Sequence, residues 1–251
     1  MRGGYDVVLV LRGLHRIEPV EGCLNYLWII SHPDAVSEDE TRAGWTRIFA
    51  ASQTWSRSPA LKAQTLLQAA SARRFSPGPP DGELVEDVLF VGTSRGVVRP
   101  VVSDAIAVGA RVGIYGHDWE RFVDPSFIRA DHLEFAKVPA AYRSARIVLN
   151  DHWEDMRQEG FVSNRLFDAA FVGARIVSDD IDGMDDLFGG LVKTYRDAAE
   201  LRRLLHDESA WPSPQERLRI AATVRERQSF DARARTLLDA ALSDLRAPVG
   251  R

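Results

Sequence analysis

Cysteine is almost missing from this 251-residue chain, with Cys23 standing alone. One thiol can build neither a disulfide framework nor a cysteine-ligated zinc centre, so a reducing, cytoplasmic compartment is the expected setting. A surplus of either charge is missing too: 32 Lys and Arg stand against 36 Asp and Glu. Nucleic-acid surfaces need a clustered excess of cations, so no nucleic-acid partner is expected, which still leaves room for a local basic pocket suited to one diphosphate. Apolar runs are no longer than a strand, so no membrane span is expected. The opening Met1-Arg2-Gly3-Gly4 lacks a leader pattern. Internal repeats and low-complexity tracts are absent as well.

What the chain does have is short, β-branched runs alternating with helical stretches. Residues 5–11 (YDVVLVL) and 24–30 (LNYLWII) read as strands buried on both faces, and 47–51 as a shorter one. Residues 37–44 read as a helix with Ser37 as N-cap and Glu38, Asp39 and Glu40 in its first turn. An apolar stretch fills 61–70. The turn-forming run 76–82 (SPGPPDG) then suggests a boundary, dividing the chain into a partial N-terminal Rossmann-like domain (1–78), a second domain (79–210) and a helical tail (211–251). Strands are expected at 87–91, 111–115, 133–136, 146–149, 174–178 and 191–195. Helix 99–108 is bracketed by Pro100 and Gly109. This alternation implies α/β architecture with a doubly wound parallel sheet. The tail, 214–245, is too polar for a core helix and is expected to lie across a surface.

Such sheets bind ligands beyond the carboxyl ends of their strands, so the residues that follow each strand are the ones to weigh. Gly92-Thr93-Ser94-Arg95-Gly96 offers close backbone approach and donors for a phosphate, or simply a tight turn; its GxxxG spacing is not the dinucleotide fingerprint. Tyr115-Gly116-His117-Asp118-Trp119 could border a base or sugar, though Trp119 packing between domains is the plainer reading. Around Asn150-Asp151-His152-Trp153-Glu154, a single histidine among carboxylates makes a poor ligand set, and no metal is expected. In 160–180 (GFVSNRLFDAAFVGARIVSDD), Ser163 reads as an N-cap, placing Asn164 and Arg165 at a helix start suited to an anion. Asp168 could accept from a ribose diol, or pair with Arg165 at i, i+3 on the helix surface. His32, beside Asp34, could serve as a general base or be an ordinary loop histidine.

The segments DVLFVGTSRGVVRP, IVLNDHW and GFVSNRLFDAAFVGARIVSDDIDGMDDLF resemble the donor domain of group 1 glycosyltransferases, most closely the branch of CgeB-like spore-maturation proteins. The resemblance covers roughly 5–205 and is strongest over 87–188. It implies a GT-B fold of two Rossmann-like domains, with a nucleotide-sugar donor held mainly by the second and no cofactor. It places Gly92, Ser94 and Arg95 toward the diphosphate, Ser163, Asn164 and Arg165 at the phosphate-binding helix start, Asp168 (normally Glu) on the ribose, and Asn150 and Trp153 along the donor cleft. LWIIS, then His32, then Ala50–Ser52 resemble the acceptor-side segment whose histidine faces the sugar. Arg95 and Arg165 become the candidates for neutralising the leaving diphosphate without a metal, and His32 for contacting the sugar or acting as base. Two departures accompany this. Related enzymes often carry a first acid with seven residues between it and this one, where Gly160 stands here, with Glu159 one position off. They also carry strands ahead of the one at Tyr5, so a natural minimal form, a fragment, a homodimer or a completing partner chain is expected. The expected activity is transfer of a hexosyl or similar group to an unidentified acceptor. A non-catalytic nucleotide-sugar-binding module or accessory subunit, and a sugar-nucleotide epimerase, are the alternatives.

Overall fold

The computed structural model describes residues 4–55 and 62–246, without the side chain of Asp185. Met1–Gly3, Leu61 of the apolar stretch and the last five residues lie outside the described residues. The chain forms two compact units, each drawing on separated stretches: 1–69, 152–162 and 228–251 in the first, 70–151 and 163–227 in the second.

In the first unit, β1 (Val7–Arg12), β2 (Leu24–Ile29), β3 (Arg47–Ala50) and β4 (Gln64–Thr65) pair in parallel in that order. Alternation of the side chains sends Leu27, Ile29, Ile48 and Ala50 to one face, where Met156 and Phe161 cover them. Tyr26, Trp28 and Phe49 go to the other, against Leu66 and Ala240. Helix α1 (Glu38–Thr41) is capped as its acidic first turn predicts, the Ser37 side chain accepting from Glu40 N.

The second unit carries six parallel strands, β5 (Val88–Val91), β6 (Val112–Tyr115), β7 (Ile128–Ala130), β8 (Ile147–Leu149), β9 (Ile176–Ser178) and β10 (Val192–Thr194). Their order is β10-β9-β8-β5-β6-β7. The winding reverses between β5 and β8, so their carboxyl ends frame the crevice that a doubly wound sheet offers a ligand. Val88, Phe90, Val112 and Ile114 are sealed beneath α2 (Pro100–Ala107) and α7 (Ala198–His206). α3 (Val138–Ser144), α4 (Glu154–Gln158), α5 (Asn164–Phe171) and α6 (Met184–Phe188) complete the series up to α7, with α4 belonging to the first unit.

One expectation needs correcting, and another gains detail. Residues 133–136 are not a strand; the third strand of this half is β7, Ile128–Ala130, and Phe135 is 55% exposed. The hydrophobic appearance of LEFA misled because β7, at the sheet edge, needs little apolar content. The tail is two helices, α8 (Pro214–Gln228) and α9 (Phe230–Arg246), joined at Ser229. Polar as it is, α9 covers a face of the first sheet: Asp244 accepts from Tyr26 Oη at 2.5 Å and from Arg47 Nε at 2.6 Å, and the buried Arg233 donates to Leu67 O at 2.7 Å.

Candidate functional site

At the reversal point of the second sheet, two helix starts and two strand ends come together. Helix α5 begins as its sequence predicts, with Ser163 in extended N-cap conformation and no acid in the first turn, although the Ser163 side chain makes no capping bond to the helix. From this start the Arg165 guanidinium reaches over to the strand ends. Its Nε donates to Val91 O and its Nη1 to Asn150 Oδ1, each at 3.0 Å, and its centre sits 4.7 Å from the Phe90 ring. It therefore crosses to β5 and β8 rather than lying along its own helix toward Asp168.

The Gly92 turn fits against that guanidinium. A Cβ on Gly92 would come within 2.6 Å of Arg165 Nη2, and one on Gly116 within 2.1 Å of Gly92 O. Only glycine lets these three segments close up. The turn is braced from within: Trp119, 1% exposed, donates its indole N–H to Gly92 O at 2.8 Å and meets Phe90 edge-on. Trp119 thus packs in the core of the second unit. The Ser94 hydroxyl is fully buried, donates to Asp118 O and accepts from Gly96 N, so it shapes the loop. Arg95 holds a left-handed backbone (φ 63°) and is exposed. Its guanidinium is pushed down to about 10 by desolvation and by the like charges of Arg99 and Arg165, with Asp151 opposing. The like-charge causes show that three guanidiniums share this corner.

Asp168 lies half-buried one turn into α5, accepting from Asn164 Nδ2 at 3.0 Å. Burial pushes its carboxyl up to about 7, while the Asn164 hydrogen bond and the charges of Arg165 and Arg74 pull it down. Asn150, completely buried, donates to Ser178 Oγ at 2.9 Å while accepting from Arg165.

His32 and Trp153 belong to the first unit. His32 follows β2 in a left-handed conformation (φ 52°), with its ring centre 6.2 Å from that of Trp153. The partner facing it is Asp155 of α4, Nδ1 to Oδ2 3.8 Å, a residue that sequence reasoning passed over. Among the described residues, His32, Asp34 and Asp155 each bring one potential ligand atom within 4.8 Å of the others. The Asp155 carboxyl is raised by burial and then by the neighbouring Asp34, with His32 opposing. Gly160, where related chains carry an acid, is buried at φ 70°, and a Cβ there would meet Ser52 Oγ and Thr54 Oγ1 at 3.1 Å. A side chain there would be strained by the backbone and would need the two hydroxyls to give way.

The other residues that sequence reasoning missed are Arg99 and Asp151, only 5% exposed each and joined as a forked ion pair. A signal was present: Arg99 occupies an N-cap, where a cation opposes the helix dipole and calls for a compensating anion.

A family model described as glycosyl transferase-like matches residues 95–239. No curated protein matches the sequence. Among solved structures, the chain is similar to sucrose-phosphate synthase from Thermosynechococcus elongatus, at 11% identity and TM-score 0.62 over 90% of this chain and 69% of that one. It is similar to AviGT4, a glycosyltransferase involved in avilamycin A biosynthesis, at 15% identity and TM-score 0.61 over 98% and 76%. It is also similar to the apo form of the lipopolysaccharide outer core galactosyltransferase WaaB, at 14% identity and TM-score 0.59 over 88% and 69%. At such identities the likeness establishes fold: the Rossmann-like GT-B class, with parallel sheets in both units.

Proposed function

The chain belongs to the glycosyl transferase-like family, and from that premise we propose that it moves a sugar from a nucleoside diphosphate to an acceptor hydroxyl. The observation that carries this reading is the meeting of Arg165 with the Gly92 turn at the reversal point of the second sheet. Closely spaced cations, a backbone stripped of Cβ atoms and a helix start aimed at one corner make a place for a diphosphate.

In the transfer, the bond between the anomeric carbon and a diphosphate oxygen breaks as the acceptor oxygen bonds to that carbon. Negative charge builds on the departing diphosphate. Arg95, Arg165 and the amide groups at the start of α5 are the groups proposed to hold it, which is why the reading calls for no metal. Fixed donors of this kind need no reorganisation as the charge develops. Asp168, one turn further along, is proposed to accept from the ribose hydroxyls. In the first unit, His32 is the group proposed to contact the sugar or take the acceptor's proton.

The reading is tested by titrating UDP, GDP and ADP calorimetrically into the wild type, Arg165→Ala and Arg165→Lys. A charge-assisted contact of about 1.5–3 kcal/mol corresponds to a loss of roughly tenfold or more in affinity for Arg165→Ala, with Arg165→Lys between it and the wild type. Affinity unchanged by Arg165→Ala would take Arg165 out of the site.

A further inference from the structure

Two arginines bind the same pair of strand ends, yet their surroundings differ. Arg165 donates to neutral oxygens, Val91 O on β5 and Asn150 Oδ1 after β8. Arg99 grips residues further outward on both, two beyond Val91 and one beyond Asn150: its Nη1 reaches Thr93 O at 3.5 Å, and its Nη2 reaches Asp151 O at 3.3 Å. Its Nε donates to Asp151 Oδ2 at 3.0 Å, and Nη2 also meets Asp151 Oδ1. Both guanidiniums lie against the same buried ring, Phe90, at 4.7 Å for Arg165 and 5.5 Å for Arg99.

Arg99 stands at the N-cap of α2, where its charge faces the positive end of the helix. A guanidinium 5% exposed, so placed, persists because a carboxylate answers it in the same low-dielectric spot. Asp151 supplies that charge. The pair therefore adds no net charge to the corner, leaving the positive character to Arg95 and Arg165. Asp151 also directly follows Asn150, the residue whose amide oxygen orients Arg165.

We propose that Arg99 and Asp151 are a positioning pair: they hold the Thr93 loop and the Asn150–Asp151 segment in register, and through Asn150 they aim Arg165 at the diphosphate. This deepens the donor-site reading and rests on it. The pair touches no ligand itself. It sets where the ligand-facing cation sits and keeps a third positive charge from joining it.

The experiment compares the wild type with Asp151→Asn, Arg99→Lys and the double variant Arg99→Met/Asp151→Leu, each first shown by melting and circular dichroism to be folded. Inorganic pyrophosphate binding is measured calorimetrically against salt, and amide hydrogen exchange is followed at Thr93–Gly96. Asp151→Asn is the decisive variant, because it keeps shape while leaving Arg99 unanswered. If the pair were merely a source of charge, losing the carboxylate would tighten pyrophosphate binding. If it positions Arg165, binding weakens by roughly tenfold, and exchange at Thr93–Gly96 accelerates while that in β6 holds. Arg99→Lys, which keeps the charge but not the fork, should weaken binding as well. Binding that is unchanged or tighter in Asp151→Asn, or unaltered exchange in the loop, overturns the positioning role. Should Asp151→Asn not fold, the charge-neutral double variant takes its place, and wild-type binding in it would overturn the role equally. If the wild type binds no pyrophosphate and no nucleoside diphosphate, the donor-site reading itself has failed, and the two failures are thereby told apart.

Discussion

A carboxyl pushed to about 7 makes Asp168 an acid whose charge changes where most measurements are made. Its proton is retained in the folded chain and lost in the unfolded chain between about 4 and 7, so in that window each rise in pH favours unfolding. Above about 7 both states are ionised and the penalty is constant. Asp168→Asn, which can keep the hydrogen bond from Asn164, removes the penalty. Its melting temperature relative to the wild type should therefore climb from pH 5 to pH 7.5 and then level off; parallel profiles across that range would contradict the burial argument. A diol needs two acceptor sites, which the ionised carboxylate offers best. Because the ligand's terminal phosphate also ionises at about pH 6, nucleoside diphosphate affinity should rise more steeply with pH in the wild type than in Asp168→Asn. The sequence favoured Asp168 as a ribose acid only through the family resemblance, and its neighbours were not legible at all. The i, i+3 pairing with Arg165 suggested by helix geometry gives way because Arg165 finds Val91 O and Asn150 Oδ1 across the sheet, partners more than ten residues away that no local pattern encodes.

Elements whose own sequence decides them were readable, and those decided by a neighbour were not. The inner strands of the second unit, β5, β6, β8 and β9, announce themselves as short apolar runs because a parallel sheet covered on both faces demands them. β7 lies at the sheet edge with an exposed arginine in its middle, so its pairing comes from β6 rather than from hydrophobicity. Helix α9 is the same lesson reversed. Its few buried residues are held by polar anchors: Asp244 ties it to Tyr26 and Arg47, and Arg233 to the carbonyls of Leu67 and Gln68. The Arg47 fork and the Tyr26 hydroxyl hold the Asp244 carboxyl below the usual carboxylate range. Asp244→Ala should cost about 1–3 kcal/mol, the worth of hydrogen bonds to a charged group at a partly exposed site. Because that depressed proton affinity stabilises the fold only above the ordinary aspartate pKa and fades as pH falls, the variant's deficit in denaturant midpoint should shrink on acidification toward pH 3. An equal deficit at pH 3 and pH 7 would mean that the helix is held by its apolar contacts instead.

At the scale of the molecule, the proposed work is divided unequally between two units built on the same principle. Both sheets are parallel; among the described residues the first runs β1-β2-β3-β4 in sequence order, and the second reverses between β5 and β8. A crevice at the strand ends arises where crossovers leave to opposite faces, and the proposed diphosphate site lies at that point of the second unit. Every group proposed to hold it, from Gly92 and Arg95 through Asn150 to Arg165 and Asp168, comes from residues 70–151 and 163–227. A ligand that binds only the folded form stabilises what it touches, by about 2.7 kcal/mol at a hundred times its dissociation constant. Saturating nucleoside diphosphate, with no sugar attached and no acceptor present, should therefore slow hydrogen exchange around β5, β8 and the start of α5, leaving β1, β2 and β3 unchanged. The base that protects best identifies the donor. Protection confined to β2 and β3, with β5 and β8 unaffected, would move the nucleotide to the first unit and end the assignment of the diphosphate to the reversal point.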